Sequence, residues 1–220
     1  VADPISQFAV SLVPLAHPIP AVKLDAANGL AQTRTIDDER PLVEQLRRGE
    51  RAALEQLIAE HHPAIRRLVG RLSGWSNETD DLVQDVFVRA MSSASRFRGD
   101  SRIATWLTRI AINVCRGHHR KRMLRRALWQ RWTRRRPAEA VDDPSQTAQD
   151  LERARRVNQA FRQLRPGERE VIVLHYLEAM EIEKVAATLG ISRGAVEVRL
   201  HRARKRLGKL LQGMIDQTSE

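Results

Sequence analysis

The sequence predicts an all-α protein of two small helical domains joined by a flexible linker, and three observations point there. Apolar residues recur at three- and four-residue spacing over residues 37–128 and again over 151–213. No stretch alternates with period two for long enough to make a strand. Between the two periodic regions, residues 129–150 are basic and then polar. Periodicity fails there from Thr133 onward, with Pro137, Pro144 and Ser145-Gln146-Thr147 in the gap. Composition agrees with small cores, since 42% of the 220 residues are hydrophobic but only 4% aromatic. Eleven glycines and few β-branched clusters argue against a single-domain enzyme of this length. Cys115 is the one cysteine, which excludes an internal disulfide framework and a multi-cysteine metal site and suits a reducing cytoplasm. Thirty-eight Lys+Arg against 27 Asp+Glu leave a net charge of +11, which points to a polyanionic partner, nucleic acid before membrane.

Residues 1–36 read as a disordered extension. Pro4 to Val22 carries no charge, but Pro4, Pro14, Pro18 and Pro20 break it and no basic segment precedes it, so neither export nor stable membrane insertion is expected. The chain opens at Val1 and its first Met is Met91, so a start set too far upstream is the other account of this tail. Asp37-Asp38-Glu39 before Pro41 is a helix start, with acids at the positive end of the dipole. Leu42, Val43 and Leu46 form its apolar stripe. Ala53, Leu54, Leu57, Ile58, Ile65, Leu68, Val69 and Leu72 form the next, closed by Ser73-Gly74. Asn77 to Asp81 opens another helix, with Leu82, Val86, Phe87, Ala90 and Met91 behind it. After the loop Arg96–Ser101, Ile103, Trp106, Leu107, Ile110, Ala111 and Val114 mark a buried face. Arg102, Thr105, Arg109, Asn113 and Arg116 then point outward. That basic and polar face suits the phosphates and base edges of a single strand.

In the second region, Arg165-Pro166-Gly167-Glu168 is a turn and a helix start. Ala186, Gly190 and Val196 have the spacing of a helix-turn-helix: a small residue for close approach, glycine for the turn, and Leu189, Ile191, Val196 and Leu200 to lock the angle. Ser192 is the N-cap of a second helix beginning at about Arg193. Val196, Leu200, Ala203 and Leu207 recur at 4-3-4 spacing and face the core, which leaves Glu197, Val198, His201, Arg202 and Lys205 outward. Seven Lys/Arg and one acid lie between Arg193 and Lys209. Early positions of such a helix reach base edges, and flanking bases hold phosphates. Arg202 is the first candidate for guanine, and Glu197 is able to accept from cytosine.

Asp80-Asp81-Leu82-Val83-Gln84-Asp85-Val86-Phe87-Val88-Arg89-Ala90, then Arg96-Phe97-Arg98-Gly99-Asp100-Ser101 and Thr105-Trp106-Leu107-Thr108-Arg109-Ile110-Ala111-Ile112-Asn113, closely resemble region 2 of bacterial extracytoplasmic-function (ECF) sigma factors of the sigma-70 family. Leu164-Arg165-Pro166-Gly167-Glu168-Arg169-Glu170, with Val185-Ala186, Leu189-Gly190-Ile191-Ser192 and Arg199-Leu200-His201-Arg202-Ala203-Arg204, resembles region 4. The resemblance covers about residues 40–211, in the family's order. It implies a monomeric, cytoplasmic, non-enzymatic subunit without cofactor. That subunit binds core RNA polymerase through the β′ clamp helices and the β flap, reads promoter DNA and answers to an anti-sigma factor. Residues 37–128 would be region 2 and 151–213 region 4, with 214–220 a tail. The resemblance assigns core-polymerase binding to Asp81, Gln84 and Asp85. The −10 element falls to Arg96, Phe97, Arg98, Arg102, Arg109, Asn113 and Arg116, with a flipped base held in a loop pocket. The −35 element falls to Arg193, Glu197, Val198, Arg199, His201, Arg202 and Lys205. For Phe97, anchoring the loop and stacking on a base remain open alternatives, and Trp106 reads as core.

The chain departs from the family in two places. Ile103-Ala104 replace an aromatic and an Arg, and Ala195, Glu197 and Val198 stand where Thr, Lys/Arg and Ser are usual. Arg116 to Arg136 holds ten Lys/Arg and no acid, with Trp129 and Trp132 between them. It reads as more DNA-binding surface, as a mobile basic linker, or as a contact for an acidic membrane or partner. No catalytic constellation, Gly-rich phosphate loop or metal site is expected; His61-His62 and His118-His119 are adjacent pairs that cannot share one helix face. A dimeric helix-turn-helix regulator acting alone is the second reading. A recombinase or nuclease is the third and weakest, because the one tyrosine, Tyr176, lies inside the DNA-reading domain.

Overall fold

The computed structural model describes the backbone of residues 35–132 and 158–216, with side-chain surroundings as far as Arg125 in the first stretch and Leu211 in the second. The expectations for the tail before Thr35 and for the linker beyond Trp132 lie outside the described residues. The described residues fall into two compact units, residues 35–132 in the first and 158–216 in the second. Among the described residues every regular element is helical.

The first unit contains α1 (Ile36–Arg47), α2 (Arg51–Ser73), α3 (Thr79–Ser93), a 3-10 turn (Ala94–Arg96) and α4 (Ile103–Trp132). Helices α2, α3 and α4 pack on one another, and α1 lies against α2 and the 3-10 turn. Helix α1 begins one residue before the acidic run, because Thr35 caps it. The Asp38 amide donates to Thr35 Oγ1 at 3.3 Å while the Thr35 amide donates to Asp38 Oδ2 at 2.7 Å. Pro41 thus lies inside the helix, where it has no N–H to offer the carbonyl of Asp37. Helix α2 ends as expected at Gly74, whose φ of 80° is the left-handed cap and whose amide donates to Gly70 O at 2.8 Å. Leu57, Ile65, Leu68, Val69, Val86 and Leu107 are almost wholly buried, and each contributes about 1.5–3 kcal/mol by leaving water.

Two expectations for this unit need correction. Met91 is not core: it is exposed on α3, and Val83 takes its place inside. The seam of α4 is also turned. Its burial centres on Ile103, Leu107, Ala111 and Val114, flanked by Ala104, Thr108 and Ile112, so Trp106 and Ile110 stand half-buried at the edge. The start of α4 is held by a residue far away in sequence. Buried Glu39 of α1 accepts from the amide of Ile103 at 2.7 Å, supplying an orphan donor of the first turn with an anion.

The second unit contains a helical segment over residues 158–162, then α5 (Pro166–Ile172), a π-type turn (Val173–Leu177), α6 (Ile182–Leu189) and α7 (Arg193–Asp216). Pro166 opens α5, and Glu168 Oε2 accepts from the Arg165 amide at 3.1 Å. Buried Arg169 donates to the carbonyls of Phe161 and Arg162 at 3.2 and 2.8 Å, closing the end of the preceding helix. Gly190, at φ 67°, ends α6 by donating to Ala186 O, and Ile191 donates to the same oxygen at 3.1 Å. Ser192 Oγ accepts from the Ala195 amide at 3.2 Å and so caps α7. Val196, Leu200, Ala203 and Leu207 are all buried, as the 4-3-4 spacing requires.

Candidate nucleic-acid interfaces

Three surfaces gather the residues singled out from the sequence. On α3, Leu82, Val83, Val86 and Phe87 face inward while Asp81, Gln84 and Asp85 are exposed. Asp80 behaves differently from its neighbours. Its Oδ1 accepts from Arg66 Nε at 2.8 Å, and that hydrogen bond outweighs the opposing desolvation and, with the charges of Arg66 and His62, holds the carboxyl below its ordinary value of 3.8. Arg66 also lies 6.0 Å from the Trp75 ring centroid. Asp80 is therefore part of the α2–α3 junction. The side chains of Asp81 and Asp85 form no hydrogen bond or ion pair with another described residue. Val88, half exposed one turn after Gln84, extends this face with an apolar group that the periodicity did not mark.

The second surface is the loop after the 3-10 turn together with the outer face of α4. Arg96 and Arg98 are exposed on either side of Phe97, which is only 8% exposed. Its ring stacks on Trp106 with centroids 4.5 Å apart and planes 13° apart. In this conformation Phe97 anchors the loop to α4, and Trp106 is the lid of that contact rather than core. Arg109 and Asn113 are exposed and Arg116 half-buried, and Arg120 continues the same face one turn further on. Arg102 does not point outward with them. It turns beside Glu39, with Nε 3.8 Å from Oε1, because a buried carboxylate lies next to it. The sequence carried no sign of this, since Glu39 is two helices away. Helix α4 runs on to Trp132, so the basic segment from Arg116 is helical at least that far.

The third surface is the exposed face of α7. Glu197, Val198, His201, Arg202 and Lys205 are all exposed. Arg199 is half-buried and leans over Gly167, where an added side-chain carbon would come within 3.2 Å of its Nη1. Arg193 is held from two sides, its Nη1 2.8 Å from Glu183 Oε1 and its Nε donating to Glu197 Oε1 at 2.9 Å. The bond to Glu197, then the charges of Glu183 and Glu197, raise its pKa further above the ordinary guanidinium value. Glu183 was missed from sequence because the contact crosses the turn.

No group of three or more His, Cys, Asp or Glu able to hold a metal ion occurs among the described residues. Among them, too, no helix is long and apolar enough to cross a membrane.

A two-unit helical protein with an acidic helix face, a basic loop-and-helix surface and a helix-turn-helix has the parts of a transcription initiation factor. Comparison with known proteins agrees in both units. Residues 57–125 match the family model of sigma-70 region 2, and residues 154–207 match that of sigma-70 region 4. The ECF RNA polymerase sigma factor SigM of Mycobacterium tuberculosis is 34% identical over 163 residues, 74% of this chain and 79% of that protein. The structure of CnrH in complex with the cytosolic domain of CnrY superposes with a TM-score of 0.56 at 34% identity, covering 80% of this chain and 97% of CnrH; as a sequence, CnrH comes from Cupriavidus metallidurans. The sigma factor RpoE of Bartonella quintana, in complex with the anti-sigma factor NepR, gives a TM-score of 0.57 at 26% identity, covering 72% of this chain and 96% of that one. The chain belongs to the ECF sigma factors of the sigma-70 family, alternative sigma factors that bind core RNA polymerase and promoter DNA to direct transcription initiation.

Proposed function

We propose that the three surfaces divide the work of promoter-specific initiation. The exposed face of α3 docks on the β′ clamp helices of core polymerase through Asp81, Gln84 and Asp85. The loop bearing Arg96 and Arg98, with Arg109, Asn113 and Arg116 of α4, tracks the opened −10 strand. Phe97 serves this surface by anchoring the loop, and Arg102 by bracing the start of α4 against Glu39. Helix α7 enters the −35 major groove with Glu197, Val198, His201 and Arg202 toward the bases, while Arg193, Arg199 and Lys205 flank them, and the second unit meets the β flap. Extruding a base costs a few kcal/mol, which the basic track and the fixed loop offset.

The observation that carries this reading is the contrast along α3. Asp80 is tied to Arg66, whereas Asp81 and Asp85 stand exposed with no intramolecular partner among the described residues. An acidic face left open in this way fits a basic partner surface. Asp85→Arg is expected to weaken binding to core polymerase at least tenfold with an unchanged melting temperature. Unchanged affinity in the folded variant would remove α3 from the docking surface. Run-off transcription with bacterial core polymerase on genomic promoter fragments tests the whole assignment: transcripts that start at defined sites only when the protein is present support it. Sharp duplex binding by the protein alone, without such transcripts, points instead to a free-standing regulator.

The protein acts in the cytoplasm as a monomer when free, without catalysis of its own. An anti-sigma factor holds it inactive. RpoE is bound by NepR, and the open acidic face of α3 and the basic faces of α4 and α7 offer a comparable partner both charges to cover.

A further inference from the structure

Helices α6 and α7 meet across their turn through a three-membered ion network. Glu183 of α6 lies 2.8 Å from Arg193 Nη1, and Arg193 Nε donates to Glu197 Oε1 at 2.9 Å. The side chains are 60%, 64% and 48% exposed, so the network adds little to folding. It is also unfavourable for simple attraction to DNA. In a helix-turn-helix the first helix crosses the phosphate backbone and the N-terminal part of the second reaches base edges. Two carboxylates there repel phosphates unless each has a task.

Glu197 is the fifth residue of α7, within the part that reaches bases. A carboxylate at that place accepts from an exocyclic amino group such as cytosine N4. It must be held for this, because a free glutamate samples several rotamers and a neighbouring guanidinium is drawn to phosphate. Arg193 fixes one oxygen of Glu197 and leaves Oε2 as an acceptor. Glu183 in turn fixes Arg193 from the other helix.

We propose that Glu183 is a specificity-determining positioning residue: acting through Arg193, it presents the Glu197 carboxylate to a base amino group in the −35 groove and keeps Arg193 off the phosphates. This rests on the reading that α7 occupies that groove.

The test is selection of duplexes randomised over the −35 element by holoenzyme assembled from core polymerase and the full chain. Wild type is compared with E183Q, E183D, R193M, E197A and R202A. Expected is a loss of preference at one base pair, shared by E183Q, R193M and E197A, of about threefold to tenfold for E183Q. E183D, which keeps the charge, falls between wild type and E183Q. The E183Q/E197A double variant is no flatter than E197A. E183Q also steepens the salt dependence of binding by about one phosphate contact, as Arg193 turns to the backbone. An E183Q profile identical to wild type, or one altered equally at every position, overturns the proposal. R202A separates the two levels: if R202A shifts the profile and E183Q does not, only the role of Glu183 fails. If neither R202A nor E197A shifts it, α7 does not read the −35 element and the proposal falls with that reading. All substituted side chains are exposed, and matching thermal melts exclude misfolding.

Discussion

Glu39 shows how one side chain decides the start of a helix elsewhere in the chain. Its carboxylate accepts the Ile103 amide at 2.7 Å in a buried setting, and Arg102 lies beside it. Glu39→Ala strands that N–H and is expected to cost about 2 kcal/mol, read as a lower urea midpoint with an unchanged slope. Asp80 is the opposite case, exposed and held mainly by one hydrogen bond to Arg66. Because its folded-state pKa is depressed, its contribution is complete above the unfolded value near 3.8 and is lost as pH falls through the lower folded value. Screened at the surface, it is worth less than about 1 kcal/mol. Urea midpoints measured from pH 7 to pH 2 should therefore fall slightly less steeply below pH 4 in Asp80→Asn than in wild type. The sequence disclosed neither pairing, because each joins residues on different helices and only packing brings them together. What it did disclose at this scale was local: the Ser192 cap and the Gly190 turn act on neighbours within a few residues.

At the scale of elements, legibility followed how cleanly each helix separates its two faces. Helix α7 alternates small or branched apolar residues with charges, so the buried Val196, Leu200, Ala203 and Leu207 could be read directly. Helix α4 is apolar over more than half its turn near Trp106 and Ile110, and sequence alone could not say which edge of that arc turns inward. The answer came from the loop, because Phe97 needs a partner and takes the Trp106 face. Phe97→Ala is expected to destabilise the first unit by about 3 kcal/mol and to free the loop. Phe97→Leu should keep most of the stability but weaken binding to −10 single strand, which a fluorescent oligonucleotide titration would report. At Gly190 there is nothing within 4 Å of an added methyl, so Gly190→Ala isolates the backbone cost of φ 67°. A loss of about 1 kcal/mol in thermal unfolding is expected, without loss of the helix-turn-helix.

For the whole molecule, the two-domain all-α fold was legible because a helical period, an interruption and a second helical period are properties of composition and spacing. The surfaces were legible in position more than in detail: charge patterning shows which faces stay in water, but not which charges have already found each other. Arg102, Arg193 and Asp80 are among those whose partners only the fold revealed. With a net charge of +11 and basic rows on α4 and α7, binding to DNA should be dominated by released counterions. Promoter affinity of the holoenzyme is expected to drop by about 10³ or more between 50 and 200 mM salt if six or more phosphates are contacted, and filter binding across that range measures it.

The tie between Glu39 and Ile103 spans 64 positions of chain. On a ribosome adding about 5–20 residues per second, α1 is made roughly 3–13 s before the amide it is to cap has been synthesised. During that interval Glu39 has no Ile103 amide to accept from, although α2 and the 3-10 turn, on which α1 also packs, are completed before α4. The bond that joins the start of α4 to α1 can therefore close only after the chain between them has been made, so this tie belongs to the late stage of the first unit's assembly.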